Sequence, residues 1–242
     1  MAGSDAIPDG PILGVWAHPD DETFLSAGIM VQALRQAQRV VCVTATRGEL
    51  GIQDVDRWPP DRLAEIRTAE LEVSLAILGV TEHHWLDYPD GRCHEVDAGE
   101  AALRLRPIFE DVRPASVLTF GPDGMTAHTD HIAVSAWTTL AFERYAPEGA
   151  KLYYATMSES WWDTYAELFE LDRVVMSTDW EPPTSPEAEI VIDHRVADDV
   201  FELKRRSLLA QESQIGAMMQ ALPPEHVWEV NRHEYYRLGG KR

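Results

Sequence analysis

Cysteine is nearly absent: two residues, Cys42 and Cys93, in a chain of 242. That excludes a disulfide framework and any cysteine-based zinc finger. Positive charge is also scarce. Lys and Arg total 21 against 41 Asp and Glu, a formal net charge of −20. A surface of that sign repels nucleic acid and anionic membrane, so neither is expected as a partner. No apolar run approaches the roughly 20 residues that span a bilayer. The opening MAGSDAIPDG has neither the basic segment nor the apolar core of a secretory signal. A cytoplasmic location is therefore expected. The first strand candidate is not followed by G-x-G-x-x-G, which speaks against a dinucleotide enzyme, and no G-x-S-x-G elbow suggests a serine hydrolase.

What remains is an ordinary globular composition, 45% hydrophobic and 26% charged. With no repeats and no marked boundary, a single domain over 1–242 is expected, with a small C-terminal extension from about 215. Apolar runs alternate with amphipathic stretches, the pattern of an α/β fold with a mostly parallel sheet. Strands are expected at Ile12–Ala17, Arg39–Thr46, His83–Leu86, Ser116–Phe120, Leu152–Met157 and Glu189–Ile192. Helices are expected at Glu22–Gln38, Asp61–Leu78 (closed by Gly79), Asp97–Val112, Asp130–Tyr145, Val196–Gln211 and Ile215–Leu222. Residues 179–187 read as a proline-rich loop, and the aromatic end of the chain receives no assignment. Cys42, within Val40-Val41-Cys42-Val43, is expected buried. Cys93, in a polar stretch, is expected nearer the surface. Tyr153, Tyr154, Trp161 and Trp162 read as core residues.

Two clusters carry chemistry. Ala17-His18-Pro19-Asp20-Asp21-Glu22 follows the first strand, and His128-Thr129-Asp130-His131 follows the Ser116–Phe120 strand. Loops after strand C-termini form the ligand crevice of an open parallel sheet, so both clusters belong to one edge. A metal site needs short-reach ligands with one position left open. His18, Asp21 and His131 make such a set. A divalent ion held there would polarise an amide carbonyl and acidify a water. Imidazole with carboxylate suits Zn²⁺, and Fe²⁺ or another divalent metal fits the same donors. Asp20 is then the natural general base. His128 can serve the oxyanion or the leaving amine, and Asp130 can orient a histidine.

The paired motifs resemble those of the LmbE-like, or PIG-L, family of zinc-dependent de-N-acetylases. The resemblance runs from about residue 12 to 214. It implies a Rossmann-like three-layer sandwich, metal ligands His18, Asp21 and His131, a base at Asp20 and an oxyanion-stabilising His128. Thr46-Arg47-Gly48-Glu49-Leu50-Gly51 is similar to a family loop where the acidic residue, here Glu49, meets substrate. Arg67 with Glu70 is similar to an Arg-x-x-Glu helix motif whose arginine contacts sugar hydroxyls. Asp90, in Asp87-Tyr88-Pro89-Asp90-Gly91, is a further substrate-contact candidate. Two positions depart from the pattern. Gln211 stands where relatives often have histidine before Ser-Gln, and Thr126 where some place a tyrosine.

The implied activity is hydrolysis of an N-acyl, chiefly N-acetyl, amide on a small amino-sugar conjugate. The alternatives are an amidase acting on a larger thiol S-conjugate, and a metal- or sugar-binding module without catalysis. A homo-oligomer is expected by resemblance alone.

Overall fold

A computed structural model describes residues 9–51, 54–168, 181–223 and 226–242. Its centre is one sheet built on β1 (Ile12–Trp16), whose five residues are all buried. Strands covered on both faces read as unbroken apolar runs, which is why β1 and β2 (Val40–Thr44) are plain in the sequence. Between them lies α1 (Asp21–Arg35). The chain continues through α2 (Leu63–Leu78), β3 (Glu82–Trp85), α3 (Ala98–Val112) and β4 (Ser116–Phe120). Gly79, at φ 83°, ends α2 in the left-handed conformation that glycine adopts at no steric cost. The Asp97 carboxylate starts α3 by accepting from the backbone N–H of Gly99 and Glu100.

After β4 come the one-turn α4 (Gly124–Ala127), then α5 (Thr129–Tyr145), β5 (Lys151–Ser158), α6 (Glu159–Tyr165), β6 (Thr184–Ser185) and β7 (Ile190–Arg195). The chain closes with α7 (Asp198–Leu209), α8 (Glu212–Ala221) and β8 (His233–Lys241). Strand order is β3-β2-β1-β4-β5-β8-β7, with β6 beside β5. Strands β3 to β5 along this path are parallel, whereas β8 runs antiparallel to β5 and β7. The order reverses between β1 and β4, so the loops leaving these two strands face each other. The fold is a mostly parallel α/β sheet with helical cover, as the alternation of elements implies.

Several details differ from the sequence reading. The unassigned aromatic end, and with it much of the expected extension beyond 215, contains β8, seated inside the sheet between β5 and β7. Its Glu234 points inward, which breaks the polar/apolar alternation that marks a strand. Strand β6 falls in the expected 179–187 loop, of which 179 and 180 lie outside the described residues. Cys93 is fully buried, because its backbone is drawn in toward Asp130. Trp161 and Trp162 are only half-buried, on α6. Trp161 packs on a small satellite cluster of Leu222, Val227 and Val230 rather than the main core.

The inward charge of β8 has a role in packing. Both Glu234 oxygens accept from α1, at 2.8 Å from the Gly28 N and 2.9 Å from the Ile29 N. Lys204 of α7, fully buried, donates to the Phe24 carbonyl (2.7 Å) and to Glu234 (2.8 Å). The Tyr236 hydroxyl donates to the Leu25 carbonyl (2.9 Å). Side chains of α7 and β8 thus bind backbone groups in the middle of α1. Removing one partner of a buried pair leaves the other charge stranded. Lys204→Met is therefore expected to cost about 3–5 kcal/mol, read as a lower urea midpoint at unchanged slope.

Candidate metal centre

The turn leaving β1 places His18, Pro19 and Asp20 ahead of α1. Asp20 adopts φ 120° and ψ −34°, a strained region for a residue with a side chain. Several bonds hold it there. The Asp20 carbonyl accepts from the backbone N–H of Thr23 (2.9 Å) and Phe24 (3.0 Å). Its own N–H donates to Glu22 Oε2 at 3.1 Å. Arg67 of α2 reaches the Pro19 carbonyl, Asp20 Oδ2 (3.2 Å) and the Gly48 carbonyl (2.9 Å). Gly48 is required here: at φ +66° a Cβ would stand 2.2 Å from the Arg67 guanidinium. Burial raises the Asp20 pKa, and Arg67 opposes the rise.

The loop leaving β4 supplies the opposing histidines. His128 caps α5, its Nδ1 accepting from the Asp130 N–H at 3.1 Å. His131 stacks on Phe120 with centroids 4.1 Å apart, and its Nδ1 lies 3.0 Å from the Gly124 carbonyl. A carbonyl only accepts, so Nδ1 carries the hydrogen and Nε2 of His131 is a bare lone pair. That lone pair faces His18 Nδ1 at 3.1 Å. Asp21 completes the triangle, with Oδ2 3.8 Å from His18 Nδ1 and Oδ1 3.5 Å from His131 Nε2. Donors about 2.0–2.2 Å from a tetrahedral ion stand about 3.3–3.6 Å apart, which these distances bracket.

The other face of His18 meets carboxylates. Its Nε2 lies 3.1 Å from Asp90 Oδ1 and 3.4 Å from Asp130 Oδ2, off the hydrogen-bond axis. Burial by itself would lower the His18 pKa, but Asp130, Asp90 and Asp21 outweigh it and lift the value to about 10. Burial pushes His131 down to about 4 and also lowers His128. The carboxylates around His18 thus favour positive charge at that ring, and the donors of His18, Asp21 and His131 are of the types that fit a divalent ion.

Two other groups of ligand type share the site: His18 with His128 and His131, and His18 with Asp90 and Asp130. Most of their atoms also serve other partners, as Asp21 Oδ2 does in accepting from the His18 N–H at 2.8 Å. The His128 lone pair serves the α5 cap. Asp130 accepts from the N–H of Gly91 (2.7 Å) and Cys93 (3.0 Å). Asp90 Oδ2 accepts from the Leu50 N–H at 2.8 Å, while Glu49 Oε1 accepts from the Asp90 N–H at 2.9 Å, a reciprocal clasp between two loops. Glu49 Oε2 is buried without a hydrogen-bond partner. Arg67, read from the sequence as a sugar contact, is buried here and turned onto the Asp20 turn. Glu22, Thr23 and Gln211, which the sequence reading left without a role, form a buried polar group behind Asp20.

Fold and site together define an α/β protein with a buried cluster of histidines and aspartates at its strand switch point, of the residue types that could hold a metal ion. The chain belongs to the PIG-L family, GlcNAc-PI de-N-acetylase, whose model matches residues 13–142. It is 32% identical over 234 residues to a 1D-myo-inositol 2-acetamido-2-deoxy-alpha-D-glucopyranoside deacetylase of Saccharomonospora viridis, covering 84% of this chain and 85% of that one. A protein of the same name from Mycobacterium sp. (strain JLS) is 35% identical over 170 residues, 62% of this chain. The chain spans 55% of that relative's length.

Among solved structures, the N,N'-diacetylchitobiose deacetylase of Pyrococcus horikoshii shares the fold, with TM-score 0.65 and 19% identity over 94% of this chain and 83% of that one. GalB, a 4-carboxy-2-hydroxymuconate hydratase of Pseudomonas putida KT2440, shares it too, with TM-score 0.63 and 15% identity over 96% and 97%. A fold that also houses a hydratase does not fix the reaction, which is set by the residues of the site.

Proposed function

We propose that this chain hydrolyses the N-acetyl amide of an amino-sugar conjugate, using a divalent metal held by His18, Asp21 and His131. The observation that carries the reading is the bare Nε2 of His131, which faces His18 Nδ1 at 3.1 Å beside the Asp21 carboxylate. When bound, a divalent ion supplies Lewis acidity, polarising the amide carbonyl and acidifying a water.

The chain's own groups do the rest. Asp20, held by Arg67 and by its strained backbone, takes the proton of the attacking water and returns it to the departing amine. Because His128 accepts at Nδ1, its neutral ring carries a hydrogen on Nε2, which can donate to the developing oxyanion. Asp90 and Asp130 fix the His18 ring from behind. The buried, unpartnered Glu49 Oε2 is a candidate acceptor for a sugar hydroxyl. One continuous sheet supports a single catalytic domain.

The substrate is proposed to be an N-acetylglucosaminyl inositol or a close analogue, on the strength of the relative matched over most of both chains. Zinc is the proposed metal. The test strips the protein of metal, reloads it with Zn²⁺ or Fe²⁺, and measures amine released from N-acetylglucosaminyl inositol and from a thiol S-conjugate amide. Release from the first supports the reading, and release from the second alone favours the conjugate amidase. Full metal occupancy without release from either overturns it.

A further inference from the structure

The corner between α7 and α8 lies behind the pocket rather than in it. Gln211 at this corner is buried, and its side-chain amide donates to Thr23 Oγ1 (3.0 Å), Ser74 Oγ (2.9 Å) and, at longer range, Glu22 Oε1 (3.4 Å). Thr23 Oγ1 in turn donates to Glu22 Oε1 at 2.7 Å. The other oxygen of Glu22 accepts from the Asp20 N–H at 3.1 Å. Both intermediaries, Thr23 and Glu22, are closed off from solvent, as is Ser74.

The direction of these bonds follows from chemistry. A glutamine nitrogen only donates, so Thr23 accepts from Gln211 and must spend its single hydrogen elsewhere. The carboxylate of Glu22 only accepts, and it takes that hydrogen. Glu22 is thereby held with its second oxygen toward Asp20. We propose that Gln211 is a positioning residue, acting through Thr23 and Glu22 to keep the Asp20 backbone at its strained φ of 120°. Without the amide, the Thr23 hydroxyl is free to turn to Ser74, 3.0 Å away, and Glu22 loses the donors that aim it. Asp20 then relaxes, and its carboxylate leaves the place where Arg67 meets it.

The same corner is tied to the second loop of the pocket. Ser213 donates from its N–H to Glu70 Oε1 (2.8 Å) and from its hydroxyl to Glu70 Oε2, and the Gln214 amide donates to the Gly51 carbonyl (2.9 Å). The start of α8 is thus fixed to α2 and to the Gly48–Gly51 loop, which gives Gln211 a stationary platform.

The inference rests on the reading of Asp20 as the base, and Asp20→Asn tests that reading separately. The experiment measures amine release from N-acetylglucosaminyl inositol, zinc affinity and melting temperature for Gln211→Leu, Gln211→His and Val112→Ala. Val112 is a buried residue at the far end of α3 and serves as a control for lost stability. Displacing a reacting group by less than an ångström costs roughly tenfold or more in rate. Gln211→Leu is expected to lower kcat by about tenfold with KM and zinc affinity unchanged. Gln211→His is expected to recover most of that loss, because an imidazole N–H can donate from the same place. Should Gln211→Leu fail to fold, Thr23→Val removes the relay hydroxyl at constant shape and is expected to show the same split. The proposal is overturned if kcat holds in both relay variants, if it falls no more than in Val112→Ala, or if histidine restores nothing. Loss of turnover in Asp20→Asn together with an unaffected Gln211→Leu would sink this inference and leave the assigned activity standing.

Discussion

Asp20→Asn is expected to bind its metal as the parent does and to turn over about 10²–10⁴-fold more slowly, the span typical of a lost general base. The substitution keeps shape and removes only the capacity to take a proton. Its neighbours argue that the change stays local. Arg67 is held by the Pro19 and Gly48 carbonyls as well as by Asp20, so it keeps two of its acceptors. The backbone bonds of the turn come from the Asp20 N–H and carbonyl, which asparagine retains. The loss should therefore fall on kcat rather than on KM, since the group acts in the transition state. Parent-like turnover with asparagine at this position would remove Asp20 from the mechanism.

The second large effect concerns His131. Of the three ligand candidates it alone is supplied by α5, so His131→Ala leaves only the two donors of the β1 turn. Zinc stoichiometry is expected to drop toward zero and amine release to background. Thermal melting gives an independent reading. A ligand that binds only the native state raises stability by about RT ln(1 + [L]/Kd), roughly 4 kcal/mol at 1,000-fold excess over Kd. Added zinc should raise the melting temperature of the parent and leave that of His131→Ala unmoved. A variant that still gains stability from zinc would show that the ion is held elsewhere, with the carboxylates beyond His18 the next place to look.

Much of the pocket is legible from the chain alone because its candidate residues come in short-range pairs. His18 and Asp21 share one turn, and His128 and His131 share the start of one helix. Their meeting follows from parallel topology, which puts the loops after β1 and β4 side by side. Arg67 was harder to read. A sequence motif shows that an arginine stands one turn from Glu70, and cannot show that it folds inward onto Pro19 and Asp20. The same holds for Gln211, whose partners Thr23 and Ser74 are 188 and 137 residues away. No local pattern encodes such a meeting. Strand β8 was hidden for a different reason. Sequence patterning assumes that inward positions are apolar, and Glu234 occupies one because a lysine and two backbone N–H groups wait for it.

That last arrangement bears on how the polypeptide matures on the ribosome. Strands β1 to β5 can associate as they emerge, each finding a neighbour already made. Strand β7 cannot, for its neighbour in the sheet is β8, which is translated afterwards. Until β8 has been made, Lys204 lacks its Glu234 counter-ion, and the far edges of β5 and β7 stand open to other nascent chains. The order of the elements thus sets a vulnerable interval between the making of β7 and the arrival of β8, the ribbon that neutralises Lys204 and joins β7 to the rest of the sheet.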